Sequence, residues 1–506
     1  MNKKVRNLII SGVVLLVLVG VLLLLLFLPQ DSSGEEESSA TSSAITTTSV
    51  ELFNRETEEL TEISIENEAG SILLHQEIQG EGDEQESVYS VDGLDGIDQN
   101  TEASSLFSTL DAINASQLVE ESPADLAKYG MDTPSATITI RYSDGTENVL
   151  LLGDTLPTGV GCYGMVNDDP NVYALTSSIS PYAELVLTDF VDTTIIETWT
   201  APEDSDVTAP EIRSMTVVGG ALTETIGDTP FSFEMGEYNE DLASYGMSGS
   251  TWVITSPVNA SLHTENTQEL RDAVNGLSAS DVAAIHPDEA MLAEYGLDDP
   301  YTVVDFNRDG EDFHLDIGAS DGSGNRYVMT DGKDVVFVVA ESSLPWISID
   351  ITKMFSSILY LPFIDDVSQV DLMLNGETYS FEMELAEPEE PEEGEEAEEP
   401  SLGRVTYNGQ ELDLDNYRTM YQFFLLAPAE DLNLDGATGE LIASITYHYH
   451  DDPDRTDTIE FYQISDRRVA LGLNGDISFT SRIAYITRLE QNLEKLLNGE
   501  EPDLDY

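Results

Sequence analysis

Cations are scarce in this sequence. Against 98 aspartates and glutamates stand only 20 lysines and arginines in 506 residues, a net charge of −78. Such a surface repels nucleic acid, anionic lipid and anionic wall polymers, and no nucleic-acid partner is expected. It attracts divalent cations diffusely, but its simplest role is to keep an exported protein soluble. Cysteine is scarcer still: Cys162 stands alone, so no internal disulfide can form and the folded part must be held by its cores. A lipid-modified cysteine near the N-terminus is excluded as well. Cys162 itself reads as a small buried hydrophobe. No glycine-rich phosphate loop followed by lysine occurs. Carboxylate pairs spaced for glycoside hydrolysis cannot be singled out, because so many acidic side chains generate such pairs by chance.

One long apolar run is present. Lys3, Lys4 and Arg6 precede Leu8 to Leu28, which Pro29 stops. At about 1.5 Å per residue the run spans roughly 30 Å, the thickness of a bilayer's hydrocarbon core. A transmembrane helix is expected at 8–29. Basic residues before it, with Asp31, Glu35, Glu36 and Glu37 after it, put the N-terminus in the cytoplasm and the bulk of the chain outside the cell. The competing reading is a signal peptide cleaved near Ala40, but its apolar region would be shorter. Residues 30–49, rich in Ser, Thr and Glu, read as a stalk.

Beyond the stalk a stretch of the chain is written twice. Asp125-Leu-Ala-Lys-Tyr-Gly-Met131, followed by Ala136 to Leu175, recurs as Met291-Leu-Ala-Glu-Tyr-Gly-Leu297, followed by Tyr301 to Val339. Self-similarity over such a span marks a duplicated folding unit. Each copy reads as a hairpin (Glu62 to Leu74; Ser214 to Met235), a helix (Ala103 to Ala115; Asn266 to Leu277), a short segment ended by Gly130 or Gly296, and an antiparallel meander. In the first copy the meander strands are Ala136 to Tyr142, Asn148 to Leu152, Cys162 to Val166 and Val172 to Leu175. Closing helices are expected at Pro181 to Phe190 and Ser348 to Tyr360. Gap-free pairing matches Tyr163 with Tyr327, Met165 with Met329 and Tyr173 with Phe337, all expected to face inward, and sets Cys162 against Arg326, which argues against a shared thiol chemistry.

A third, divergent copy follows, with Tyr379-Ser-Phe-Glu-Met383 echoing Phe231-Ser-Phe-Glu-Met235, a meander from Ile442 to Phe479, and a helix carrying Ile483, Ile486, Leu489, Leu493 and Leu497. The stripe Tyr417, Met420, Tyr421 and Phe424 reads as helical core. The fold class is therefore α+β: tandem modules of antiparallel meander and hairpin sheets with flanking helices, plus the N-terminal transmembrane helix. The division is a cytoplasmic N-terminus at 1–7, the membrane helix at 8–29, the stalk at 30–49, modules at 50–200, 210–360 and 365–499, and an acidic tail at 500–506. The third module carries an acidic insert at 387–401 that self-repels and cannot pack. The second carries an insertion at the corresponding place, Glu237 to Ser250, with a further Asp241-Leu-Ala-Ser-Tyr-Gly-Met247 for which there is no physical account.

Three motifs invite a chemical reading. Gly318-Ala-Ser320-Asp-Gly322 matches the nucleophile elbow of hydrolases, but that elbow needs a helix after it, whereas a strand follows here, so a hairpin loop is expected. Asp431-Leu-Asn433-Leu-Asp435-Gly436 opens like a calcium loop, yet its twelfth position is Ile442, not a bidentate glutamate; Asp431, Asn433, Asp435 and Glu440 remain as weak metal candidates. His448 and His450 alternate on a strand near Asp451, Asp452 and Asp454, but zinc would need further ligands at defined geometry. No catalytic residue and no cofactor is assigned.

The Leu-Ala-x-Tyr-Gly-Leu/Met-Asp-x-Pro elements of Leu126 to Pro134 and Leu292 to Pro300 resemble the bacterial family catalogued as domain of unknown function 4340. So do Gly153 and Gly318 after their apolar strands, the Tyr-x-Met strands at Tyr163 and Tyr327, and Trp252-Val-Ile-Thr-Ser-Pro257. The resemblance implies a membrane-anchored extracytoplasmic component of the kind associated with ABC-type export systems and gliding-motility transport auxiliaries, and it brings no catalytic residues. The resulting expectation is a non-enzymatic single-pass surface protein that scaffolds or binds a partner such as an ABC transporter permease. The rivals are an envelope-modifying hydrolase, which would need carboxylates or His448 and His450 to converge on one deep pocket, and a calcium-dependent adhesion module.

Overall fold

Alternation of buried and exposed side chains builds the sheets. In Ala136–Tyr142 and Thr302–Arg308, as in Glu440–Tyr449, every second residue enters the core while its neighbours point away. The computed structural model describes residues 49–80, 85–203, 206–236, 251–386 and 400–505. The expected membrane helix and stalk lie outside these, as do 241–247 and all but the end of the acidic insert at 387–401. Among the described residues no helix is long and apolar enough to cross a membrane.

The described strands form three nine-stranded sheets, whose neighbours pair antiparallel, and one two-stranded ribbon. In the first module the spatial order is Glu86–Val91, Gly70–Gln79, Leu60–Asn67, Ala136–Tyr142, Glu147–Thr155, Cys162–Val166, Val172–Leu175, Ala112–Glu120 and Val50–Asn54. The second runs Ala260–Ser261, Trp252–Ser256, Phe231–Met235, Ile212–Gly219, Thr302–Arg308, Glu311–Ser320, Asn325–Thr330, Lys333–Ala340 and Asp281–Ile285. The third runs Gln410–Glu411, Leu402–Tyr407, Glu377–Leu385, Val367–Leu374, Glu440–Tyr449, Thr456–Gln463, Arg468–Leu473, Asp476–Arg482 and Asp431–Leu432. The second and third orders are the same. The first shares eight of the nine positions and differs only in carrying its extra strand, Val50–Asn54, at the opposite edge. The two close copies and the divergent third read in the sequence thus carry closely similar sheet topologies.

The copies share one core. A continuous apolar cluster runs from Leu60 to Leu496 through all three sheets. Thr194–Ile196 pairs with Leu277–Ser278 across the first junction, and bridges Leu262 to Phe355 and Ile358 to Pro428 lead into the third module, where Phe355 packs on Phe479 with ring centroids 5.0 Å apart. Lys333 adds a polar tie, donating from Nζ to the Thr194 carbonyl at 2.8 Å and lying 3.2 Å from Asp98. Its replacement by alanine is expected to cost about 1 kcal/mol, the scale of one half-exposed charged hydrogen bond, measurable as a small drop in Tm.

Several helices end earlier than expected. The predicted helix 103–115 stops at Leu110; Ala112–Glu120 is a strand, with Ile113 and Ala115 facing the core between Val50–Asn54 and Val172–Leu175. The closing helix at 181–190 is two 3₁₀ turns, Ser180–Ala183 and Leu187–Phe190, separated by an extended Val186 whose amide is capped by Asp189. The one at 348–360 is likewise only the turns Pro345–Ser348 and Ile351–Lys353, and the helix at 266–277 is reduced to Gln268–Asp272 and a following turn. In the last helix, Ala484–Leu497, the stripe drifts: Leu496 is buried and Leu497 is exposed. Buried Asn492 on that helix donates to the Asp503 carbonyl and accepts from its amide, which fastens the acidic tail.

Candidate functional site

The signature of the repeat lies on the outer faces of the sheets. Tyr129 and Met131 fold back over the first sheet to meet Val172, Tyr163 and Met165; Tyr295 and Leu297 do the same over the second, against Val336, Tyr327 and Met329. The ring pairs stand at 4.9 Å for Tyr129 and Tyr163 and 4.4 Å for Tyr295 and Tyr327. Tyr163, Met165, Tyr327 and Met329 therefore belong to small outer clusters, a correction to their expected inward placement, while Tyr173 and Phe337 do enter the main core. Both segments end in a left-handed glycine, Gly130 at φ 71° and Gly296 at φ 66°. Gly153 and Gly318 lie beneath. A Cβ on either would collide with the carbonyl oxygen of Tyr129 or Tyr295, so these strand glycines exist to let the crossing backbone approach.

None of the three chemical motifs assembles a centre. Ser320 ends its strand, donates to the Asn325 carbonyl and accepts from the Gly322 amide, while Asp321 caps Ser323 and Asn325. That is a hairpin loop. Asp431 is ion-paired with Arg468, and the Asn433 amide is spent on the Ala437 and Ile477 carbonyls and the Ala437 amide. With Asp435 and Glu440 they form no ligand set, since among the described residues no three His, Cys, Asp or Glu groups are placed to hold an ion. His448 Nε2 lies 2.9 Å from Asp371 Oδ2 on the neighbouring strand, and Tyr447 and Tyr449 bury themselves on the other face.

Pairing of a histidine with a carboxylate on a neighbouring strand recurs. His314 contacts Asp305 at 2.7 Å and Asp316 at 3.3 Å. Its half-buried position lowers the imidazolium's affinity for its proton, but the two carboxylates outweigh that and hold its pKa above the ordinary value. Because the folded value lies above the unfolded one, the stabilisation is complete below about pH 6.5 and fades as pH rises through the folded value. His314→Gln is expected to lose stability at about pH 6 and to show a flatter profile than the native chain between about pH 6 and 8 by denaturant titration.

Two clefts remain. One, of about 590 Å³, opens between the second and third modules and is lined by Thr229, Thr255, Asn259, Leu434, Asp476 and Ser478 among others. Asp476 is engaged there by Asn259 at 3.0 Å and by Ser478. The other, of about 670 Å³, lies wholly in the first module, between the Leu60–Asn67 end, the Thr133–Thr137 entry, the Gly153–Thr155 strand end and the Ser180–Glu184 turn. Its lining holds Glu66, Glu68, Asp154 and Glu184, no lysine or arginine, and Cys162. Burial pushes the Cys162 thiol up to about 11, so it is neutral at physiological pH and no nucleophile. The sequence set Cys162 opposite Arg326; what could not be read there is that this exchange lies in the wall of a cleft.

No curated protein and no solved structure matches the chain. A family profile described as Domain of unknown function (DUF4340) matches residues 97–225 and 252–412, from the helix of the first module into the third and together more than half of the chain. The Tyr-Gly elements and the glycines beneath them fall inside those stretches, and their role here is to hold the fold. On that match, and on the repeated motif it spans, this chain belongs to the DUF4340 family.

Proposed function

We propose that the protein is a single-pass, membrane-anchored extracytoplasmic scaffold or binding protein that serves as an auxiliary component of an ABC-type transport system. The anchor is the apolar run from Leu8 to Leu28, with its basic side in the cytoplasm. The observation that carries the scaffold reading is the tandem itself: three sheets of closely similar topology share a continuous apolar core, which holds a strongly acidic surface in a fixed arrangement. A partner that meets such a surface is selected by complementary charge. Crosslinking in native membranes, followed by purification and mass spectrometry, is expected to recover a permease or ATPase with the protein. Recovery of the protein alone would count against the transport reading. Deleting 8–28 tests the anchor separately: the chain should leave the alkali-washed membrane fraction for the soluble one.

A further inference from the structure

The three modules are copies, so a place filled in one and open in another shows what the open one is shaped to hold. Thr155 pairs with Cys162 in the first module at the position where Ser320 pairs with Arg326 in the second. Ser135 precedes the first meander strand where Tyr301 does so in the other copy. In the second module Arg326 donates from Nη1 to the Gly318 carbonyl at 2.8 Å, lies 3.1 Å from Glu341 through Nε, and stacks on the Tyr301 ring at 4.0 Å. Its guanidinium is thus held by a carbonyl, a carboxylate and an aromatic face.

The first module lacks that plug. Cys162 and Ser135 are too small to fill the space, and the cleft of about 670 Å³ stands there. Its charge has changed as well: Glu66, Glu68 and Glu184 stand where the second copy has Val218, Gly220 and Ser348, and Asp154 where it has Ala319. Among the described residues none of these four carboxylates is ion-paired. We infer that the first-module cleft binds a guanidinium group from outside, in the place that Arg326 fills from within the second. The Gly153 carbonyl, which also accepts from the Ser135 hydroxyl at 3.3 Å, takes the part of the Gly318 carbonyl; Ser177 stands where Glu341 does, so the exposed carboxylates around the cleft supply the acidic contact instead. A guanidinium is favoured over a plain ammonium because its planar fork can serve a carbonyl and a carboxylate at once. This site is independent of the membrane anchor, so its test does not depend on the transport reading.

Titration calorimetry on the full chain in detergent tests it, with n-butylguanidine as the small guanidinium, n-butylamine as the ammonium control of equal charge, and a blocked Gly-Arg-Gly peptide as the protein-borne source. Saturable binding of butylguanidine or of the peptide, tighter than butylamine, is expected; the stronger of the two tells whether the ligand is a small molecule or an arginine of a partner. Building the second module's plug into the first, with Cys162→Arg and Ser135→Tyr, should abolish binding. Glu68→Gln and Glu184→Gln alter exposed residues that can be changed without unfolding, and each should weaken binding by up to roughly fivefold. The inference is overturned by butylguanidine and peptide that do not bind at millimolar concentration, by butylamine binding equally well, by binding that survives the carboxylate substitutions, or by calcium occupying the cleft in place of guanidinium.

Discussion

Gly318→Ala is expected to destabilise the protein by about 3 kcal/mol or more, and Gly153→Ala by a similar amount, although each adds a single methyl group to a strand. Added methylenes usually cost about 1–3 kcal/mol because neighbouring side chains shift. Here the obstacle is main chain: the new Cβ at Gly318 would overlap the Tyr295 carbonyl oxygen and crowd that of Gly296, and at Gly153 it would overlap the Tyr129 carbonyl oxygen and the Met131 side chain. To relieve the clash the Tyr-Gly segment must lift off the sheet. That would also separate Tyr295 from Tyr327, or Tyr129 from Tyr163, and expose the cluster beneath. Gly145→Ala gives the baseline. Gly145 sits at φ 79° with nothing within 4 Å of its would-be Cβ, so alanine there meets only the left-handed backbone cost, about 1 kcal/mol. Equilibrium denaturation of the three variants separates the two effects. Losses at Gly153 and Gly318 no larger than at Gly145 would mean that the crossing segments do not bear on the strands.

The repeat made the topology legible, and local chemistry did less. Ala136–Tyr142, Cys162–Val166 and Val172–Leu175 fall where alternation and turn residues put them. The helix predicted to run to Ala115 failed because Leu106, Leu110 and Ile113 fit a helical stripe, while Ile113 and Ala115 fit a strand equally well; the partners that decide it, Val50–Asn54 and Val172–Leu175, are remote in sequence. Tyr163 and Met165 were legible as apolar but not as outward-facing. Alternation tells two faces apart without saying that both are covered, as they are where the Tyr129 segment lies over the outer side. The strand glycines were visible as a shared feature, and their reason was not, since it is a carbonyl oxygen more than 20 residues away. The hydrogen bonding of the weak calcium candidates was not legible: Asn433 has ligand-type atoms, and in the fold its amide serves its own turn.

The core where Tyr360, at the end of the second module, meets the third carries the second large expectation, because its tyrosines must stay protonated. Tyr360, Tyr417, Tyr421, Tyr447 and Tyr449 are all buried, and burial raises the pKa of each above the ordinary value. Tyr360 and Tyr449 also donate to Asp457 at 2.7 and 2.8 Å and touch each other through their hydroxyls. Raised folded values mean stability that is complete below the unfolded tyrosine value of about 10 and is lost as pH climbs past it. At about pH 11 the unfolded chain gains about 1.4 kcal/mol for each tyrosine that stays neutral in the folded state, so five together approach about 7 kcal/mol, enough to unfold an ordinary domain. Alkaline unfolding monitored by the phenolate absorbance should be cooperative, and stepwise titration of these tyrosines in a folded chain would contradict it. Asp457 works at the acidic end. Burial alone would raise its pKa, but hydrogen bonds from Asn474, Tyr360 and Tyr449 and the charge of Arg455, 3.0 Å away, outweigh burial and lower it. Its stabilisation is therefore present above the unfolded carboxyl value of about 3.9 and disappears as pH falls through the folded one. Asp457→Ala leaves two buried hydroxyls and a guanidinium without their shared acceptor. The expected loss at neutral pH is about 3 kcal/mol, the lower end of the range for breaking a buried pair, because Arg455 keeps an edge in water. A loss below about 1 kcal/mol, or one that persists undiminished at about pH 2, would show that the carboxylate is not what joins Tyr360 to the strands bearing Tyr449 and Asp457.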